Sequence, residues 1–98
     1  MSKPTKTKDP DSTLDYGVDW SEWLDDGDEI ASSMWLSITP STSPALEYET
    51  GSEATDSNST KIEITGGKVG VRYTVTNRIT TDNGLTHDFT FFIEVFPE

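Results

Sequence analysis

The 98 residues, 10.8 kDa in all, leave room for one small domain. Eighteen acids against seven bases give a net charge of −11, which repels phosphate backbones and argues against direct nucleic-acid binding. The chain has no cysteine, which excludes disulfides, thiolate metal sites and cysteine nucleophiles, and no run approaches the roughly 18 apolar residues of a membrane span.

Charge is distributed in blocks. Residues 1–8 hold Lys3, Lys6 and Lys8 and no acid, residues 9–29 hold nine acids and no base, and the remainder holds nine acids and four bases. The opening lysines have no apolar stretch behind them, so a secretory signal is not expected. Residues 1–13 lack any large apolar side chain after Met1 and contain two prolines. They read as an N-terminal arm, flexible or ordered against a neighbouring subunit, ahead of a folded domain over 14–98.

Period-two alternation starts at Leu14 and carries Tyr16, Val18 and Trp20 on one face. Trp23 and Leu24 follow, then Asp25-Asp26-Gly27-Asp28, a turn by its Asp and Gly content. A second strand is expected over 29–38, with Ile30, Met34, Leu36 and Ile38 on one side and Trp35 on the other, or a bulge near Ser32-Ser33 that switches the register. Pro40 and Pro44 mark the loop after it, and Leu46 and Tyr48 place a short edge strand within 45–50. Residues 51–59 read as a polar loop.

Lys61–Thr65 alternates cleanly, Gly66-Gly67 turns, and Val69, Val71, Tyr73 and Val75 share one face of the next strand. Asp82-Asn83-Gly84 signals a hairpin, because Asn-Gly supplies the positive φ a tight turn requires. The last strand runs from Thr86 to Val95, with Phe89, Phe91, Ile93 and Val95 pointing one way. No window has helical spacing. About seven strands with frequent turn signals predict an all-β, antiparallel, immunoglobulin-like sandwich. Its core is expected to include Trp20, Trp35, Ile62, Ile64, Val69 and Val71 as well as the residues of the last strand.

Chemistry-bearing residues are few. Asp25, Asp26, Asp28 and Glu29 are acidic enough to attract a hard cation, but their spacing is not that of an EF-hand loop, and a solvated turn is the expected state. His87 is the single histidine, sits just past the hairpin and is expected on the polar surface. No Gly-x-Ser-x-Gly elbow accompanies it, so no enzyme is expected, and no cofactor or metal. Trp23, flanked by Glu22 and Asp25, reads either as a cap on the end of the sandwich or as an interface anchor.

Two blocks carry a family likeness. Tyr16-Gly17-Val18-Asp19-Trp20-Ser21-Glu22-Trp23-Leu24, followed by Gly27-Asp28-Glu29-Ile30-Ala31-Ser32-Ser33-Met34-Trp35, resembles the opening of the phage fiber-tail adaptor proteins of tailed bacteriophages. Gly66-Gly67-Lys68-Val69-Gly70-Val71-Arg72-Tyr73-Thr74-Val75-Thr76-Asn77-Arg78-Ile79-Thr80-Thr81 resembles a later segment of the same family, in the right order. The likeness spans residues 14–96. It departs in the longer middle over 40–60, in the lysine-rich start, and at Gly84-Leu85-Thr86, where members often carry Gly-Arg-Thr.

The resemblance implies an immunoglobulin-like virion structural protein, made in the host cytoplasm. It would be present in several copies per particle and would contact tail, neck, fiber or capsid subunits, without nucleic acid or membrane. The partner-facing residues expected on this basis are Lys3, Lys6, Lys8, Trp23, Asp25, Asp26, Asp28 and Glu29. Two other roles fit the sequence: a capsid decoration protein, and a carbohydrate-binding module with an exposed row of Tyr48, Trp23 and Phe92.

Overall fold

A computed structural model describes residues 5–96. Alternating segments become strands: Thr5–Lys8 (β1), Thr13–Asp19 (β2), Ile30–Trp35 (β3), Leu46–Tyr48 (β4), Ala54–Thr55 (β5), Ser59–Gly66 (β6), Arg72–Thr81 (β7) and Thr86–Val95 (β8). They form two sheets. The first has the order β1-β8-β7-β3, and the second has the order β2-β6-β4, with β5 also on β6. Every pairing is antiparallel except β1 with β8, which is parallel. The result is an immunoglobulin-like β-sandwich with no helix among the described residues.

The period-two pattern places one row of each strand between the sheets. Tyr16, Val18, Ile62, Ile64 and Leu46 face inward from one sheet, and Trp35, Tyr73, Val75, Ile79, Phe91, Ile93 and Val95 from the other. Aromatic rings bridge the layers, with Tyr16 at 5.8 Å from Phe91 and Trp35 at 6.0 Å from Tyr48. The Tyr73 hydroxyl accepts from the Lys68 amide at 2.8 Å and pairs with the Thr42 hydroxyl at 2.6 Å, so its polar end is satisfied inside the core. The Gly66-Gly67 turn requires glycine, since both residues have positive φ and a Cβ on Gly67 would lie 2.8 Å from Val95 Cγ2.

Several expectations change. Of the arm expected over 1–13, residues 1–4 lie outside the described residues; Thr5–Lys8 pairs with Phe92–Val95, and an Asx turn at Asp9 leads directly to β2. Hydropathy missed this strand because its buried member is Lys8, whose ammonium is satisfied by carbonyls. The second strand spans Ile30–Trp35 rather than 29–38, and its register shifts between Ile30 and Ser32. That shift, next to the bulge expected at Ser32-Ser33, puts Trp35 inward with Ile30 and leaves Met34 exposed.

Val69 is exposed rather than in the core, because residues 68–71 form a turn closed by Val71 N donating to Lys68 O, and β7 begins only at Arg72. Leu14 lies at the start of an edge strand and stays partly in solvent. The polar loop over 51–59 contributes an eighth, two-residue strand.

Candidate partner interface at the hairpin end of the sandwich

Trp20, just past the end of β2, has no exposed surface. Its indole Nε1 donates to Thr60 Oγ1 and to Asn77 Oδ1, each at 3.1 Å. Thr60 Oγ1 also donates to Asn77 Oδ1 at 2.7 Å, while Asn77 Nδ2 donates to Ser33 Oγ at 2.9 Å and Met34 O at 3.2 Å. These bonds join β6 of one sheet to β7 and β3 of the other through the dry interior, where a satisfied polar network fixes one arrangement. Thr60 and Asn77 are as buried as the apolar core. Nothing in their residue types announces this; the signal was positional, since both fall in inward-facing rows.

Trp20 is the platform for Trp23. A short turn, with Trp23 N and Leu24 N both donating to Trp20 O, brings the second indole edge-on to the first at a centroid distance of 5.8 Å. His87 packs beside both rings, 6.5 Å from Trp20 and 6.1 Å from Trp23, and Phe89 meets Trp20 edge-on at 6.1 Å. The polar-surface position expected for His87 is therefore corrected: inward alternation along β8 tucks it half-buried under Trp23, and its Nε2 is buried without a hydrogen-bond partner. Trp23 itself remains 44% exposed. Leu85, which sequence reasoning passed over, is exposed in the hairpin at this end of the sandwich.

The acidic turn lies alongside. Asp28 N donates to Asp25 O at 2.9 Å across Gly27, whose φ is 83°. Asp28 Oδ1 accepts from the amides of Glu29 at 2.9 Å and Asn83 at 3.2 Å, and Asp82 N donates to Glu29 O at 2.9 Å. The turn is thereby fastened to the β7–β8 hairpin. Burial pushes the Asp28 carboxyl up, but the Thr81 hydroxyl and the amides of Glu29, Asn83 and Asp82 outweigh it and hold the group below the usual carboxylate range. Asp28 is a structural clasp and not the solvent-facing partner contact expected of it. Asp25, Asp26 and Glu29 are exposed. Among the described residues, no three His, Cys, Asp or Glu side chains are grouped so that they could hold a metal ion.

The lysines separate from this cluster. Lys8 lies at the opposite end of β8, opposite Val95, and is fully buried. Its Nζ donates to Asp9 O at 2.7 Å and Gly66 O at 2.8 Å, so it is no surface contact. Burial lowers its pKa, against the opposing pull of Asp9 and Asp11. Lys6 is exposed on β1, and Lys3 lies outside the described residues.

The aromatic row expected of a sugar-binding surface does not form. Tyr48 turns inward against Trp35 and donates its hydroxyl to Leu36 O, Phe92 lies on the outer face of the other sheet beneath the Arg72 guanidinium at 4.2 Å, and Trp23 caps one end.

The model of the family described as podophage GP4 fiber-tail adaptor protein gp77 matches residues 8–94. Among solved structures, the solution structure of the PKD domain from the KIAA 1837 protein is similar, with a TM-score of 0.56 and 19% identity over 98% of this chain and 81% of that one. No curated protein sequence matches the chain.

Proposed function

The chain belongs to the podophage GP4 fiber-tail adaptor family, and from that premise we propose that it is a structural protein of the virion that joins tail or neck components to fibers through protein–protein contacts at the hairpin end of the sandwich. The observation that carries this reading is Trp23. A large aromatic ring is left 44% exposed on a rigid, fully buried Trp20, with Asp25 and Asp26 beside it in the chain. Aromatic anchors ringed by polar groups are the recurrent energetic centre of protein interfaces. Here the ring is held in place before a partner arrives, which removes part of the entropic cost of docking.

The adaptor role uses surfaces and needs no reaction step. Its partners are other virion proteins, and the protein is present in several copies within the particle. The test is to locate it in purified particles by electron microscopy and to count its copies. Density at the tail or neck, together with exclusion of Trp23→Ala protein from particles when it competes with the native form, is the expected result. Density distributed over the head lattice would place the protein among capsid decorations, and absence from particles would end the reading.

A further inference from the structure

Among the described residues, an edge of β2 and an edge of β8 face a common groove. One is β2, the terminal strand of its sheet, which has no partner on its outer side among the described residues. Trp20 N donates to Asn58 O toward β6, so the even-numbered residues of β2 direct their main-chain groups inward to that pairing. By alternation, Asp15, Gly17 and Asp19 direct theirs outward.

The other edge belongs to β8. Among the described residues it is covered by β1 over Phe92–Val95. Val95 directs both its amide and its carbonyl toward the chain around Gly70 and Val71, so Thr90 and Asp88 direct theirs to the opposite side, where no described residue pairs with them. Between these edges lies a groove of about 330 Å³ lined by Tyr16, Val18, Phe89 and Phe91, with the carboxylates of Asp15 and Asp19 against the single cation Lys6.

We propose that this groove receives an extended cationic strand from another virion protein, which adds to the β2 edge by main-chain pairing. The proposal adds a second contact surface, along the β2 edge, to the adaptor reading and rests on it. An added strand would place alternate side chains in two places. One row would enter the apolar groove, and the other would lie on the outer face of the sheet beside Asp15 and Asp19. Apolar residues suit the first row and lysine or arginine the second.

The choice of edge follows from how natural sheets protect themselves. β4 and β5 are too short to template a partner, and β3 is interrupted by its register shift. β2 pairs without interruption over all seven residues and carries neither lysine nor proline on its outward row. The central residue of that row is Gly17, so no side chain obstructs approach there.

Charge selects against a second copy of the same edge. A two-fold antiparallel pairing centred on Gly17 would set Asp15 opposite Asp19 of the second copy, and like charges directly opposite one another destabilise a ladder. The carboxylates of Asp15, Asp19 and Glu63 outnumber Lys6 and Lys61 around this edge, a balance that favours a basic strand.

The test uses the full chain and a synthetic peptide of alternating lysine and valine long enough to span β2. Binding is followed by fluorescence anisotropy, and main-chain pairing by amide hydrogen exchange. The expected result is saturable binding, new protection at Asp15, Gly17 and Asp19, and a loss of about tenfold in affinity in the Asp15→Lys, Asp19→Lys double variant. Both substituted side chains are exposed, so the variant retains the core, and its near-native melting curve is the control; because Asp19 Oδ1 also accepts from Ser21 N at 3.0 Å, the single Asp15→Lys variant should weaken binding in the same direction.

A glutamate–valine peptide should show the reverse preference. No binding at roughly millimolar peptide, protection elsewhere in the chain, equal binding by the double variant, or protection of these amides before peptide is added would each overturn the proposal. The last result would mean that the chain itself closes the edge. Any of these outcomes leaves the tail location to be decided by particle imaging, so failure here is distinct from failure of the adaptor reading.

Discussion

The two ends of the sandwich solve the same problem with opposite charges. At the end where β1 closes against β8, Lys8 is buried and its ammonium is met by the carbonyls of Asp9 and Gly66. At the hairpin end, Asp28 is buried and its Oδ1 is met by the amides of Glu29 and Asn83. In each case a charged side chain substitutes for missing apolar residues by satisfying main-chain groups that lack a ladder partner. The ends differ in what remains outside. The Lys8 end keeps its cation to itself, whereas the hairpin end also presents Trp23 to solvent. A charge block therefore does not say which of its members reach a partner, since, among the described residues, the basic and the acidic block each contribute one residue to the interior.

The contrast can be broken most severely at the platform. Trp20→Ala removes the ring that supports Trp23 and leaves Thr60 and Asn77 without their indole partner. A loss of about 3–5 kcal/mol is expected in chemical denaturation. Near-native stability would mean that the inter-sheet network is dispensable.

At the opposite end, Lys8→Met keeps the aliphatic stem and deletes the donor to two carbonyls. About 1–3 kcal/mol should be lost, and amide exchange should rise in β1 more than in β7. Uniform exchange across the molecule would show that β1 is not held separately by this contact.

Asp28 adds a pH signature. Its folded-state pKa lies below the unfolded value of about 3.8, so the unfolded chain binds the proton first as pH falls. The stabilisation is then fully present above the ordinary value and is lost as pH drops through the folded one. Asp28→Asn should lower the melting temperature at neutral pH and make the acid limb shallower. Asp88, held low by its hydrogen bond from Arg78, titrates in the same direction on the surface, so Asp88→Asn serves as the comparison. An unchanged acid limb in Asp28→Asn would show that the clasp does not depend on its charge.

The smallest effect on stability is expected at Trp23. Trp23→Ala should cost about 1 kcal/mol or less, because much of the ring is already in water, while incorporation into particles is lost. A larger stability loss with normal incorporation would recast Trp23 as a cap and move the interface elsewhere.

Much of the architecture was legible because period two is a strong signal when one face of a strand is buried. β8 runs from Thr86 to Val95 as expected, and the inward rows of β6 and the hairpin at Asn83-Gly84 follow the pattern. β1 was not legible, since Thr-Lys-Thr-Lys carries no apolar residue and its pairing with β8 is parallel and distant in sequence. Of the expected interface residues, Trp23, Asp25, Asp26, Glu29 and Lys6 are exposed, while Asp28 and Lys8 turn inward. Sequence separates Asp28 from Asn83 by 55 positions, and nothing local to either announces the bond between them.

By itself the sequence determined the layered all-β fold, the turns and the excess of negative charge, because alternation, glycine and proline placement and net charge act over neighbouring residues or over the whole chain. Only the tertiary structure decided which charges are interior, and which tryptophan is platform and which is presented. Those outcomes depend on main-chain groups brought together from distant positions, and a hydrogen bond between them exists only once both sheets have closed.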